Sequence, residues 1–228
     1  MQATPRPTGR EEAFPAPLPP GERTVGQLVA ETIRFYGSYF WRSLALGLPF
    51  AIDDQIFTGT THVLAALATA VGAVLLTASY VAATMLVAET GAGRREIATA
   101  FVGGIIAYIP FAFLVLVFIL PGLAWLALVG LVVPVALIER LPLRAAFARA
   151  IALARADYIH ALGSIATLTL LFFVVRLLLY FLLRGFGDAA DRAAVFLADL
   201  VLSPVVFIGA AMLYFDQAAR VVESRPRP

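Results

Sequence analysis

His62, His160 and the adjacent pair Asp53-Asp54 are the side chains of this chain best suited to hold a cation or pass a proton. A hard divalent ion needs several oxygen ligands converging on one point. Asp53, Asp54 and His62 are expected on one side of a membrane and His160 on the other, so too few ligands meet. We read them as solvated residues flanking a span, and expect no metal and no cofactor. Ser164, Thr167 and Thr169 run along an apolar stretch with no base beside them, which suits hydrogen bonds between helices and not nucleophilic catalysis. Gly91-Ala92-Gly93 follows no strand and reads as a flexible turn rather than a dinucleotide loop. With no cysteine, disulfides, thiolate chemistry and Cys-ligated zinc are excluded. No acid–base or metal constellation is complete, and the chain is expected not to be an enzyme.

The most informative polar pair is Arg176 and Asp199. Arg176 lies eight residues before Arg184, roughly 12 Å into a span, and Asp199 seven residues after Arg192, roughly 10 Å into the next. Antiparallel neighbours bring the two to matching depth, so an intramembrane ion pair is expected. Ionisable residues inside spans face the bundle interior or a water-filled cavity. We read the pair as a clip between two helices, with a substrate or proton pathway as its rival.

The elements that position this pair follow from hydropathy. Hydrophobic residues make up 61% of the chain and charged ones 14%, more apolar surface than one soluble core can hide. From Ile97 to Ile138, 42 residues pass without a charge, interrupted by Pro121-Gly122. A continuous helix of that length would measure about 63 Å, roughly twice a bilayer's hydrocarbon thickness, so the run folds back as two spans. The expected fold is all-α, a polytopic membrane bundle of six transmembrane helices with two interfacial amphipathic helices. The spans are placed at about Tyr39–Ile56, within Gln55–Ala88, at Ile97–Leu120 and Gly122–Ile138 with the Pro-Gly pair at the bend, and at Tyr158–Leu183 and Ala193–Phe215. Gly103-Gly104 allow close helix packing. The first span is the weakest, with Arg42 near one end and Asp53-Asp54 near the other.

Residues 1–22 are rich in proline and lack an apolar run, which predicts a disordered tail and not a signal peptide. The membrane domain is expected over 23–220, with a short polar tail at 221–228. Thr24 and Gln27 have capping-box spacing, opening an amphipathic helix that carries Val29, Ile33, Tyr36 and Phe40. A second such helix follows Pro142, with Leu143, Phe147, Ala150 and Ala154 on one side and Arg144, Arg149 and Arg155 away from it. Those three arginines are expected to contact anionic lipid head groups.

All seventeen cationic side chains are arginine, and their placement orients the chain. With the N-terminus in the cytoplasm, inner segments after the first span hold nine arginines (Arg94, Arg95, Arg140, Arg144, Arg149, Arg155, Arg220, Arg225, Arg227), the outer loops only Arg184 and Arg192. This obeys the positive-inside bias and returns the C-terminus to the cytoplasm. A net charge of +2 spread over helix ends points to no nucleic acid.

Three stretches together resemble the glycerophosphoryl diester phosphodiesterase membrane-domain family of bacterial proteins: TVGQLVAETIRFYGSYFWRSLALGLPF, VPVALIERLPLRAAFARAIALARADYIHALG and SPVVFIGAAMLYFDQAARV. The resemblance implies a six-helix membrane domain in the bacterial inner membrane that stands alone or accompanies a soluble phosphodiesterase domain. Its anchors correspond to Glu139, Arg149 and Asp216, and it brings no activity. The paired histidines and carboxylate cluster of the phosphodiesterase domain are missing. The expected role is that of a non-catalytic accessory, scaffolding or lipid-interacting protein, with membrane lipids and a homo-oligomer or membrane protein as partners. The alternative is a small transporter subunit working as an oligomer, with Pro110, Pro134 and Pro204 breaking helices near the midplane.

Overall fold

A computed structural model of the chain describes residues 19–57, 62–183 and 187–223, and every regular element among them is helical. The tail through residue 18, the side chain of His62, Arg184 and residues 224–228 lie outside the described residues. The helices are α1 (Val25–Ser38), α2 (Phe40–Leu44), α3 (Leu48–Phe57), α4 (His62–Ala88), α5 (Arg94–Val117), α6 (Ile119–Val129), α7 (Val132–Ile138), α8 (Leu143–Ala156), α9 (Tyr158–Leu183) and α10 (Asp188–Glu223). Five helical units are long and apolar enough to cross a bilayer: Thr69–Ala88, Arg94–Val115, Ile119–Ile138, Tyr158–Leu183 and Ala189–Val222. The chain is therefore a multi-pass membrane protein.

Short apolar α7 sits at the centre. Val132 to Leu137 are all buried, as befits a helix that is apolar on every side. It packs on α4, α5 and α8, and small residues set the spacing. A side chain at Gly104 would run into Thr77 of α4 and Val133 of α7, so the close approach expected of the Gly103-Gly104 pair is real. By contrast α9 leaves Leu170, Leu177, Leu178 and Leu182 exposed, a face suited to lipid.

Several boundaries differ from the sequence reading. The hairpin bends at Phe118, whose backbone is extended (φ −164°, ψ 140°), while Pro121-Gly122 falls in the first turn of α6. Proline is tolerated there because first-turn N–H groups have no partner within the helix. The fourth span is two pieces, α6 and α7, parted at Gly130-Leu131, and Pro134 in the first turn of α7 again has no helical N–H to lose. The last helix runs 36 residues, well past the expected Ala193–Phe215. Pro20–Glu22 already form a 3-10 turn packed on α10, so order begins before the expected limit of the tail at residue 22.

The largest difference concerns the N-terminal segment. Thr24 caps α1 as the spacing predicts, its Oγ1 accepting from Gln27 N while Gln27 Oε1 accepts from Thr24 N. One face of α1 packs along α10. Arg23 meets Asp216, Thr32 Oγ1 lies 3.7 Å from Met212 Sδ, and Tyr36 Oη donates to Val201 O at 2.8 Å, so its contacts step backward along α10. The stretch expected to be one span from Tyr39 to Ile56 is broken into α2, a 3-10 turn at Ala45–Gly47, and α3. Gln55 Nε2 then reaches Arg192 O at 3.4 Å. From Arg23 to Gln55 the segment accompanies α10 from Asp216 to Arg192, about 36 Å at helical rise.

Candidate functional site

Three helices deliver an ion cluster to one depth. Arg176 of α9 donates from Nη2 to Asp54 Oδ2 of α3 at 2.7 Å, and its Nε lies 3.1 Å from Asp199 Oδ1 of α10. The structure thus brings Arg176 and Asp199 together and adds Asp54, which sequence reasoning left in solvent. Asp199 has no exposed surface, and its carboxyl hydrogen-bonds that of Asp54, with one proton shared between them. Asp53 is equally far from the expected solvated state: it is 8% exposed, with its carboxylate against the backbone of Gly72 on α4. The Phe172 ring stands 6.0 Å from the Arg176 guanidinium carbon, within cation–π range.

Beside this cluster lies a cavity of about 320 Å³, the lower end of the range of small-molecule sites. Asp54 and Arg176 form part of its wall, and the rest is apolar and aromatic, with Phe50, Tyr80, Tyr108, Phe111 and Phe207 prominent. Two hydroxyl residues interrupt that lining, Thr169 of α9 and Ser203 of α10. Ser203 is one turn from Asp199, hence on the same face of α10, is 2% exposed, and its Oγ has no hydrogen-bond partner.

Two proline kinks shape the walls. Pro204 within α10 has no N–H to offer Leu200 O, and its ring forces the preceding turn open. Tyr36 Oη takes up the neighbouring Val201 O, and Gly47, where any Cβ would collide with Leu200 O, lets the broken N-terminal segment close on the same turn. Pro110 within α5 repeats the device: Trp125 Nε1 donates to Ala107 O at 2.8 Å. In each case an aromatic donor from another helix meets the carbonyl three residues before the proline, which satisfies backbone groups that lipid could not.

A second polar network ties the opposite end of the bundle. Arg23 lies 3.3 Å from Asp216, and Arg220 donates to Asp157 Oδ2 at 2.7 Å and to Arg23 O at 2.6 Å. His160 is wedged between, with Nδ1 3.4 Å from Arg220 Nη2 and Nε2 3.6 Å from Asp216 Oδ2. A guanidinium only donates, so Nδ1 is the acceptor in that contact. Gln217 Nε2 adds a bond to Asp157 O at 3.1 Å. The three anchor residues of the family resemblance all hold helices together: Asp216 here, and Glu139 with Arg149 (3.0 Å) and with Tyr214 Oη (3.1 Å).

Of the three arginines expected to meet lipid, Arg144 and Arg155 are exposed on α8, and Arg149 pairs with Glu139. Ser164 Oγ, read as an interhelical donor, is buried without a partner, and Thr169 borders the cavity instead. Among the described residues no group of three or more His, Asp or Glu side chains is placed to hold a metal. The sequence reading missed the cavity, the N-terminal network and the role of Asp54. The available signal was the adjacency of Asp53 and Asp54 to a span too weakly apolar to stand alone.

The fold and site thus define a polytopic membrane bundle with a partly open cavity and an ion-paired wall. No family model, curated protein or solved structure matches the chain.

Proposed function

We propose that this protein is a non-catalytic, six-crossing protein of the cell membrane that holds a hydrophobic or amphiphilic molecule of the membrane phase in the cavity between α4, α5, α6, α9 and α10. The cavity carries this reading: it is partly open and lined by apolar and aromatic side chains, with one ion-paired polar edge to orient an occupant. The sixth crossing is the broken segment α1–α3. Its support is the contact with α10 from Asp216 to Arg192, a length that matches a bilayer's hydrocarbon core and its edges. The Arg23–Arg220 contact, which brings the two ends of the described chain together, supports an even number of crossings. With both ends cytoplasmic, Arg144 and Arg155 face anionic head groups and Arg149 braces the helix that carries them.

Native mass spectrometry of protein extracted in mild detergent tests the binding role. A retained lipid-like molecule, lost when a bulky residue fills the cavity, is expected. Protein that emerges empty and takes up no added amphiphile would overturn the reading. A second reading, a small transporter subunit working as an oligomer, is favoured by one observation: two interrupted helices, α1–α3 and the Pro204 turn of α10, meet beside the ion cluster. Flux of the retained molecule in energised vesicles separates carriage from holding.

A further inference from the structure

We infer that the cavity takes an uncharged, carbonyl-bearing molecule of the bilayer, which enters sideways between α6 and α9 and accepts hydrogen bonds from Tyr108 and Thr169. This inference rests on the cavity being a binding site and names the chemistry of its occupant.

Charge decides the first part. Asp54 and Asp199 share one proton, so together they carry a single negative charge, and Arg176 cancels it. A charged occupant would bring an unpaired charge into an apolar space, a cost that an uncharged one avoids.

Two free hydroxyls decide the second. Tyr36, Tyr80, Tyr158 and Tyr214 each donate to an acceptor within the protein. Tyr108 also packs its ring in the bundle, 6.5 Å from Tyr80 and 6.3 Å from Phe111, but its Oη makes no hydrogen bond among the described residues. Thr32, Thr84 and Thr99 turn their hydroxyls back to the carbonyl four residues earlier, the usual outlet within a helix. Thr169 does not, and it too is without a partner among the described residues. Both residues line the cavity and are half-buried, and unlike the Ser203 hydroxyl theirs are not shut away from it. Thr169 stands two turns from Arg176, hence on the same face of α9 and about 10 Å along it. A polar group left unpaired in an apolar place is costly, and a carbonyl satisfies such donors with no proton of its own to place. Arg176, also on the wall, can only donate, and Asp54 is already engaged with it.

The open side gives the route. Ile119 at the start of α6 is 39% exposed and Phe173 of α9 is 43% exposed, more than any other residue of the lining. Their exposed neighbours in sequence, Phe118, Leu120, Leu170 and Leu177, are apolar as well. An opening with such a rim faces lipid and not water.

The test uses the full chain in lipid nanodiscs and three probes built on one flat ring system: anthraquinone, anthracene, which lacks the carbonyls, and anthraquinone-2-sulfonate, which adds an anion. Each is measured by equilibrium binding and corrected for empty nanodiscs. Anthraquinone is expected to bind saturably and about tenfold more tightly than either comparator, a difference of roughly 1.4 kcal/mol. Joint Tyr108→Phe and Thr169→Val substitution removes both hydroxyls at nearly constant shape. It should erase the advantage over anthracene and leave anthracene binding as it was. Competition by dioctanoylglycerol assigns the natural carbonyl to an acyl ester, resistance to it assigns a ring carbonyl, and either supports the inference. Equal binding of anthraquinone and anthracene overturns it, and if Ala210→Phe, which fills the cavity, blocks both, the cavity reading survives. Equal or tighter binding of the sulfonate overturns the uncharged occupant. A carbonyl preference that persists in the double variant overturns the inference by placing the donors elsewhere. Saturable binding of no probe removes it as well, and the cavity reading then stands or falls on the co-purified molecule. Should the double variant fail to give a monodisperse protein, the wild-type probe ratios and the two single variants decide the matter.

Discussion

Asp216 has no exposed surface, yet it faces Arg23, just before α1, and His160 of α9. Removing one partner of a buried ion pair costs more than the pair contributes, because the survivor is stranded. Asp216→Ala is accordingly expected to destabilise the bundle by about 3 kcal/mol and to lower the melting temperature in detergent. Arg176→Leu strands Asp54 and Asp199 together, and its melting temperature should fall at least as far; an unchanged value would contradict the cluster. Arg176 and Asp199 were legible as neighbours because helical rise and the flanking arginines fix depth along two adjacent spans. Asp54 was not, since periodicity says how a helix turns but nothing of which distant helix it will meet. The same limit concealed Arg149: its place on the polar side of α8 suggested lipid, whereas Glu139, ten residues earlier, claims it.

Among the elements, the kinked helices make the clearest demands. Tyr36→Phe keeps the ring and its packing but leaves Val201 O without its donor, a loss expected to cost about 1–3 kcal/mol. Trp125→Phe should act alike through Ala107 O, and thermal unfolding of both variants checks the parallel. Arg140 sits at φ 54° just beyond α7, a conformation glycine adopts more readily. Arg140→Gly is therefore expected to stabilise the protein by about 1 kcal/mol, seen as a raised melting temperature. Element by element, α4, α5, α8 and α9 lie close to where hydropathy placed them, because long charge-free runs leave a chain in lipid few choices. The bend at Phe118 was missed for a physical reason: proline marks where a helix can begin as readily as where it ends.

For the whole molecule, the absence of cysteine makes topology directly measurable. Single cysteines placed at Arg94 and at Arg155 should react with a membrane-impermeant maleimide only from the cytoplasmic face, and one at Arg192 only from the outside. Reaction of Arg94 and Arg192 variants from the same face would dismiss the six-crossing arrangement. The overall class was legible because apolar surface on this scale has only one solvent. The path of α1–α3 was not, since a segment bearing Glu31, Arg34 and Arg42 resembles an interfacial helix until its partner is known.

That partnership has a consequence for how the protein is made. Much of what holds α1–α3 in place comes from α10, beside contacts from α4 and α9, and the bond from Arg220 to Arg23, just before α1, spans 197 positions of sequence. A ribosome working at about 5–20 residues per second needs roughly 7–26 s to reach α10 once α1–α3 has been made. Throughout that interval the segment lacks the long helix it packs against. The first segment to leave the ribosome should then be among the last to take its final place, held near the bilayer surface or by an insertion factor until α10 arrives. Chains ending at Leu183 would show this as protease sensitivity in α1–α3, which full-length protein should lack.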